Sequence, residues 1–155
     1  MTVKRVIYRC YGGAHSSVVA AAIHLGQLSS DKIPDKNDLL KLNLFDRQTQ
    51  DGHGQLHFFG FDEQGRQVYS VGCRNAGKTV ERVLKNIAKK ILGRENDLMI
   101  IDTLHCVNYL MRIGGYISRQ LGFTRIGRPV VIMGTRQAYP NLVSLVEKTK
   151  KEADR

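Results

Sequence analysis

The residues best suited to chemistry in this sequence stand in a short turn near the N-terminus, Cys10-Tyr-Gly-Gly-Ala-His-Ser-Ser17. Cys10 is a candidate nucleophile because a thiolate attacks phosphorus and carbon centres. His15 is a candidate acid, base or phosphate ligand because imidazole titrates near neutral pH. Structural roles are the alternatives: Cys10 as a small buried residue at a strand end, and His15 as a turn residue with a structural hydrogen bond.

The turn lies between a predicted strand and a predicted helix within Val6–Leu28. Adjacent glycines permit backbone conformations that are closed to other residues, and Ser16 or Ser17 is predicted to cap the helix. The unpaired N–H groups of a helix N-terminus attract anions. The predicted anion-binding residues of this turn are Gly12, Gly13, Ser16 and Ser17.

A second turn, Gly72–Thr79, matches the pattern G-x-x-x-x-G-K-[ST] between a predicted strand and helix. It resembles the P-loop of nucleoside triphosphatases. The resemblance implies a bound Mg-nucleotide. Lys78 would contact the β- and γ-phosphates, Thr79 would bind Mg²⁺, and Asp102 resembles the Walker B acid. The alternative is a glycine-rich turn before a basic surface helix. The ligand-binding candidates here are Gly72, Arg74, Gly77, Lys78 and Thr79.

The turn that begins at Cys10 is similar to the phosphocysteine loop of sugar phosphotransferase IIB subunits. That resemblance implies a thiolate at the strand end that accepts a phosphoryl group, and amides that bind its oxygens. Low-molecular-weight tyrosine phosphatases share this layout, but they need an arginine where this chain has Ser16.

Two more turns are predicted to follow strands, Asp102–Cys106 and Gly134–Asn141. Asp102 and His105 join the catalytic candidates, and Arg136 is a candidate for binding an anion through two parallel hydrogen bonds. His105 and Cys106, together with Asp102, would lie near the first turn. Their spacing matches no zinc signature, so no metal ligand is assigned.

The remaining pattern alternates strands and helices. Asp35 is predicted to cap a short helix that extends through Leu44, and residues 46–54 are predicted to form a loop. The later elements are a hairpin (55–61 and 67–71), a basic helix (78–92), a strand (98–101), a helix (105–121), a strand (129–133) and a helix (142–152) capped by Asn141.

This order predicts a single α/β domain over residues 1–155. We expect a mostly parallel open sheet of about five strands, with one antiparallel hairpin strand. Helices are expected on both faces, which gives three layers. Because ligands bind beyond the carboxyl ends of such strands, the strand-end turns should share one site.

The composition favours anionic partners. The 155 residues carry a formal net charge of +10, which attracts phosphorylated metabolites, nucleotides or nucleic acid. Three cysteines without paired spacing indicate reduced thiols rather than disulfides. No apolar run is long enough to insert into a membrane, and the N-terminus has no leader pattern. A cytoplasmic location is therefore expected, and the oligomeric state is left open.

Over nearly its whole length, the sequence resembles a family of short proteins of unknown function from spore-forming Gram-positive bacteria. The resemblance rests on CYGGAHSSVVAAAIHLG, LNLFD, the hairpin and LMIIDTLH, and it implies no activity. Three hypotheses follow. One is phosphate or nucleotide binding, with phosphoryl transfer or nucleoside triphosphate hydrolysis. The second is a non-enzymatic nucleic-acid-binding or regulatory module that uses the basic helix, and the third is a phosphocarrier or transferase that depends on Cys10.

Overall fold

The computed structural model describes residues 3–155, and it has an α/β fold. The strands of the described part are β1 (Arg5–Cys10), β2 (His57–Phe61), β3 (Gln67–Gly72) and β4 (Leu98–Asp102). The α-helices are α1 (Ser16–His24), α2 (Lys36–Lys41), α3 (Gly77–Lys90), α4 (Tyr109–Gly115) and α5 (Thr124–Ala153). A π-helix (Tyr116–Gln120) follows α4, and 3₁₀ turns cover Gln50–Gly52, Arg74–Ala76, Glu95–Asp97 and Leu104–Cys106.

The four strands form one mixed sheet in the order β2-β3-β1-β4. β1 is central and parallel to both neighbours, with Cys10 opposite Gly72 and Arg9 opposite Asp102. β2 runs antiparallel to β3, which confirms the predicted hairpin. Because β1 is paired on both sides and covered by side chains on both faces, Val6, Ile7 and Tyr8 are almost fully buried.

Side chains that alternate along β1 enter two separate apolar clusters. Val6 and Tyr8 pack in the larger cluster together with residues of α1 and α5. Ile7 packs in a smaller cluster with Val71 and with Val80 of α3. All nine residues of α1 are buried, as expected for a helix that is apolar on every side. The three-layer description stays a prediction.

The predicted fifth strand at residues 129–133 is wrong because these residues lie inside α5. A short run of consecutive apolar residues fits a buried strand and a buried helix equally well. The helical repeat is visible over a longer window, where the buried positions include Gly127, Val131, Thr135, Ala138 and Leu142. The separate closing helix predicted at residues 142–152 is likewise the C-terminal part of α5.

Glycines allow α4 and α5 to approach very closely. A Cβ atom added to Gly114 would lie 2.4 Å from the backbone N of Val131, and one added to Gly134 would lie 2.6 Å from that of Met111. The helix predicted over residues 105–121 begins later than expected, and it continues beyond α4 as the π-helix to Gln120. It begins at Tyr109, where the Asn108 side chain accepts a hydrogen bond from the Met111 amide.

The structure confirms one predicted helix cap and contradicts two others, of which the cap by Asn141 is wrong because Asn141 lies inside α5. Asp35 caps α2 in a reciprocal pair of hydrogen bonds with Asp38. By contrast, α1 has His15 as its N-cap residue and no capping side chain, so the predicted cap by Ser16 or Ser17 is wrong. None of the described helices combines the length and the apolar character needed to cross a bilayer.

Candidate functional site

The carboxyl end of β1 is the point where the fold leaves room for a ligand. β3 pairs with one side of β1 and β4 with the other, so the chain connections diverge at the end of β1. Such a divergence opens a crevice beyond the strand ends in open α/β sheets. The segments that follow β1, β3 and β4 are the predicted turns that begin at Cys10, Gly72 and Asp102, and parallel pairing brings their starting points together.

A cavity of about 570 Å³ lies at this end of the sheet. Its residues come from the end of β1 and the turn after it, the segment 48–53, the 3₁₀ turn after β3, the segment between β4 and α4, α4 and the π-helix. From the first turn it includes Cys10, Tyr11, Gly12, Ala14, His15 and Ser16. The remaining lining residues are Gln48, Thr49, Gln50, His53, Asn75, Leu104, Val107, Met111, Arg112, Gly115, Tyr116, Arg119 and Gln120.

Cys10 lies in this cavity with hydrogen-bonding groups around its sulfur. The Gly13 amide donates to Cys10 Sγ at 3.0 Å, and Ser17 Oγ lies 3.0 Å from the same sulfur. Gly13 reaches this position with a positive φ of 68°. Cys10 itself is only 5% exposed. Both neighbours are able to donate to a thiolate.

The backbone amides around the sulfur are largely free. Within residues 3–155 the N–H groups of Gly12, Ala14, His15, Ser16 and Ser17 find no acceptor. Because no side chain caps α1, its N-terminal N–H groups keep their positive potential. The loop therefore offers unpaired backbone donors to an anion, and four of these residues, Gly12, Ala14, His15 and Ser16, line the cavity.

Ser16 does not face the sulfur. Its hydroxyl lies 2.8 Å from Thr103 Oγ1, and the Thr103 hydroxyl and amide both donate to the carbonyl of Arg9. These contacts fix the first turn of α1 to the residue that follows β4. Ser16 thus takes a positioning role, although its backbone lines the cavity.

His15 is held by a buried carboxylate that the sequence patterns did not reveal. The imidazole Nε2–H donates to Asp46 Oδ1 at 3.0 Å. Asp46 is fully buried and also receives the Ser118 hydroxyl, Arg119 Nε at 3.1 Å and Arg128 Nε at 2.8 Å. The carboxylate ties the first turn to the π-helix and to α5.

The electrostatics of this cluster keep Asp46 ionised. Burial raises the pKa of Asp46, but hydrogen bonds from His15, Arg128 and Ser118 outweigh it and lower the pKa from 3.8 to about 2. The residue adopts a left-handed φ of 53°, which aspartate tolerates better than most residues. Its amide donates to the carbonyl of Ala14 at 2.9 Å. Asp46 is therefore an integral part of the turn that carries Cys10.

The two glycine-containing turns meet through their backbones. A Cβ atom on Gly13 would lie 2.8 Å from the Gly72 nitrogen, and one on Gly72 would lie 2.6 Å from the Gly12 carbonyl carbon. Both contacts require glycine. They show why the first turn needs Gly13 even apart from ligand binding, whereas a Cβ atom on Gly12 would meet nothing within 4 Å.

Several amides of Gly72–Thr79 are already occupied. The Cys73 amide donates to the carbonyl of Cys10 and the Arg74 amide to that of Tyr11, while the Ala76 amide donates to the carbonyl of Cys73. A P-loop needs such amides free for phosphate oxygens. The likeness to a P-loop thus stays a prediction from the sequence pattern, and these hydrogen bonds do not support it.

The side chains of Gly72–Thr79 lie away from the cavity, apart from Asn75. Lys78 and Thr79 are exposed at the start of α3. Gly77 packs under the guanidinium of Arg9, where a Cβ atom would lie 2.3 Å from Nη1. Arg74 is exposed and lies 3.5 Å from Gln50 Oε1 through its Nη2.

The other predicted site residues have separate surroundings. Asp102 forms an ion pair with buried Arg9 at 2.9 Å and accepts the Leu104 amide. His105 is exposed in the 3₁₀ turn and does not line the cavity. Arg136 follows no strand, contrary to the prediction, because it lies within α5, and its Nε donates to the carbonyl of Pro34. In the described part of the chain, no three His, Cys, Asp or Glu side chains cluster as a metal site would require.

The residues missed by sequence reasoning come from segments that the patterns assigned to loops or to packing. Asp46 opens a polar loop, and the cavity-lining Arg112 and Arg119 lie in a helical stretch. One signal was available: the five charged residues between 103 and 146 are all arginines. A charge bias of this kind indicates an anion-binding surface.

Comparison with known proteins gives one result for the whole chain. The model of a family described as "Protein of unknown function (DUF3189)" matches residues 5–151. No curated protein and no solved structure matches the sequence. The match covers β1 to the last turns of α5, including every residue of the cavity. The chain therefore belongs to the DUF3189 family of proteins of unknown function.

Proposed function

We propose that this protein binds a phosphate ester in the cavity and transfers its phosphoryl group through Cys10. The observation that carries the proposal is the environment of the sulfur, with the Gly13 amide donating to it and Ser17 Oγ 3.0 Å away. These contacts suit a thiolate. The free amides of the same turn suit the oxygens of a phosphoryl group.

The reaction needs three contributions from the chain. The Cys10 thiolate attacks phosphorus, and an S–P bond forms as the bond between phosphorus and the ester oxygen breaks. The free amides of residues 12–17 stabilise charge on the phosphoryl oxygens. A protonated His15 gives its proton to the leaving oxygen, and buried Asp46 stabilises the imidazolium before that transfer.

A second displacement regenerates the enzyme. Water or an acceptor alcohol attacks phosphorus, the S–P bond breaks, and the thiolate of Cys10 returns. His15, now neutral, accepts the proton of the attacking hydroxyl. The same pair of residues thus serves both steps with opposite proton transfers.

The proposed chemistry is consistent with a cytoplasmic protein. The three cysteines of the described chain are free and buried, and a nucleophilic thiol needs a reducing compartment. Burial raises the pKa of the Cys73 and Cys106 thiols. Neither of these thiols lines the cavity, so both serve as controls for the reactivity of Cys10.

Turnover of phenyl phosphate by cysteine variants tests the proposal. Cys10→Ser should lower kcat/KM at least about a thousandfold because it removes the nucleophile. Cys106→Ala is the matched control, since Cys106 is equally buried but outside the cavity. Wild-type turnover by folded Cys10→Ser protein, or no turnover and no Cys10 phosphorylation in the wild type, would overturn the proposal.

A second candidate function is nucleic-acid binding by the basic surface of α3. The exposed cations of this helix are Lys78, Arg82, Lys85, Lys89 and Lys90. The sequence adds Lys148, Lys150 and Lys151 near the C-terminus. This function predicts binding that weakens steeply with salt. The double variant Lys78→Glu, Arg82→Glu should abolish it, whereas Cys10→Ser should have no effect.

A further inference from the structure

The cavity is larger than a phosphoryl group requires. Its volume of about 570 Å³ falls in the range of roughly 300–1,000 Å³ that is usual for pockets that hold small organic ligands. Cys10 is 5% exposed, so the phosphoryl group must enter deeply to reach the sulfur. The organic part of the ester then occupies the remaining space.

The walls of that space differ in polarity. Leu104 and Val107, from the segment between β4 and α4, and Met111 of α4 supply an apolar wall. Gln48, Thr49 and Gln50 supply a polar wall from the segment that follows Asp46. A substrate body with an apolar face and polar substituents fits such a space.

Arg112 is a cation of this cavity that the protein leaves unmatched. Its side chain forms no ion pair or hydrogen bond within residues 3–155, and the residue is exposed. Arg119, the other arginine of the lining, is bound to Asp46 at 3.1 Å. Arg112 therefore differs from Arg119 in having its guanidinium available to a ligand.

The sequence around Arg112 explains why no carboxylate meets it. Residues 103–146 contain five arginines and neither aspartate nor glutamate, so α4, the π-helix and most of α5 offer it no acidic partner. A guanidinium is well suited to a bidentate pair with a carboxylate or phosphate. In a partly enclosed cavity, such a pair favours a ligand that brings its own anion.

We infer that the substrate is an organic phosphomonoester that carries a second anionic group, a carboxylate or a second phosphate, bound by Arg112. This inference rests on the proposed function, because it assumes that the ester phosphate occupies the turn at Cys10. It adds the chemical class of the substrate. Inorganic phosphate and esters whose phosphate is their one anionic group are then weaker ligands of the same site.

Isothermal titration of the Cys10→Ser variant with matched ligands tests the inference without turnover. The ligands are phenyl phosphate, 4-carboxyphenyl phosphate, 3-carboxyphenyl phosphate and 1,4-phenylene bisphosphate. At least one ester with a second anionic group should bind at least roughly tenfold more tightly than phenyl phosphate. The carboxylated and the bisphosphorylated compounds distinguish the two kinds of second anion.

Arginine variants in the same Cys10→Ser background locate the effect. Arg112→Ala should remove the advantage of the second anion, whereas Arg125→Ala, which changes an exposed arginine outside the cavity, should keep it. Equal affinities for all four esters would overturn the inference and leave the proposed function standing, as would an advantage that survives Arg112→Ala. Failure of every ester to bind or to react with the wild type would overturn both.

Discussion

Helix α1 carries a histidine at each end, and the two histidines differ in what surrounds them. His15 is the N-cap residue and His24 the last residue of the helix. Each lies with Nε2 3.0 Å from a buried aspartate, Asp46 for His15 and Asp62 for His24. In both aspartates, hydrogen bonds outweigh the effect of burial and lower the pKa to about 2.

The second ring nitrogen distinguishes the two pairs. His24 Nδ1 accepts the Tyr8 hydroxyl at 2.8 Å, and burial lowers the pKa of His24, so this imidazole stays neutral and fully enclosed. His15 lines the cavity, its side chain is 14% exposed, and its Nδ1 has no partner within residues 3–155. The same pairing thus stabilises the core at one end of α1 and, at the other, leaves a ring nitrogen of a cavity-lining histidine without a partner among residues 3–155.

Replacing each aspartate by asparagine should give the largest effects. Asparagine tolerates the left-handed backbone of residue 46, and each variant removes a buried charge and replaces an accepting carboxylate oxygen by an amide NH₂ group that only donates. Asp46→Asn and Asp62→Asn should each lose roughly 3 kcal/mol of unfolding free energy. In folded protein only Asp46→Asn should also lower kcat, by about a hundredfold. Urea unfolding and phenyl phosphate turnover measure the two effects. Equal kcat values in Asp46→Asn and Asp62→Asn would show that the two histidine–aspartate pairs do not differ in catalysis.

Replacing the histidines tests which pair donates a proton. His15→Asn should lower kcat about a hundredfold for phenyl phosphate, and much less for 4-nitrophenyl phosphate, because nitrophenolate leaves without protonation. His24→Asn should reduce stability and leave both rates unchanged in folded protein. Equal losses on the two substrates in His15→Asn would show that His15 is no general acid.

The pH dependence of stability separates the histidine of the core from the aspartates. A folded pKa below the unfolded one gives stability that is present above the unfolded pKa and lost as pH falls. For Asp46, the decrease in pKa from 3.8 to about 2 corresponds to roughly 2 kcal/mol, which should disappear between about pH 4 and pH 2.

The lowered pKa of His24 should cause a loss of stability at higher pH than the loss due to the aspartates, and this loss begins as pH falls below 6.5. Urea midpoints measured between pH 8 and pH 2 should therefore decline in two stages. His24→Asn should remove the upper stage only. A persistent upper stage in that variant would assign it to another group.

The smallest expected effect comes from Gly115, which lies against His15. A Cβ atom there would lie 3.1 Å from His15 Cε1 and 3.3 Å from Nδ1. Gly115→Ala should leave stability unchanged or raise it by roughly 0.5–1 kcal/mol, because alanine favours the helix. It should lower kcat only severalfold by displacing the ring. In a His15→Asn background the same change should have no further effect on kcat; an undiminished loss would show that Gly115 acts elsewhere.

The sequence pattern predicts the strand-turn-helix around Cys10 and the hairpin because their signals are local. A run such as Val6–Tyr8 before two glycines has few alternative structures. The segment 129–133 fits both a buried strand and a buried helix, and Pro129 misleadingly indicates the end of a helix. In the folded chain, Gly127 and Gly134 pack closely against the π-helix and α4, and a short window of sequence does not reveal such contacts.

The sequence also predicts the location of the candidate site, but it does not predict all of the residues that form it. Cys10, Gly12, His15 and Ser16 line the cavity as a local strand-end turn would suggest. Asp46 reaches His15 from 31 residues away, through a left-handed backbone in an ordinary polar loop. Contacts at such a separation depend on the tertiary fold, so only the structure identifies the carboxylate.

The most direct test of the account is to locate the phosphoryl group during turnover. Wild-type protein is mixed with phenyl phosphate, denatured at neutral pH while product is still forming, and its phosphorylated peptide is identified by mass spectrometry. Phosphate should appear on Cys10, and neither Cys73 nor Cys106 should carry it. Phosphate on His15, or turnover with no phosphorylated Cys10 at any time, would contradict it.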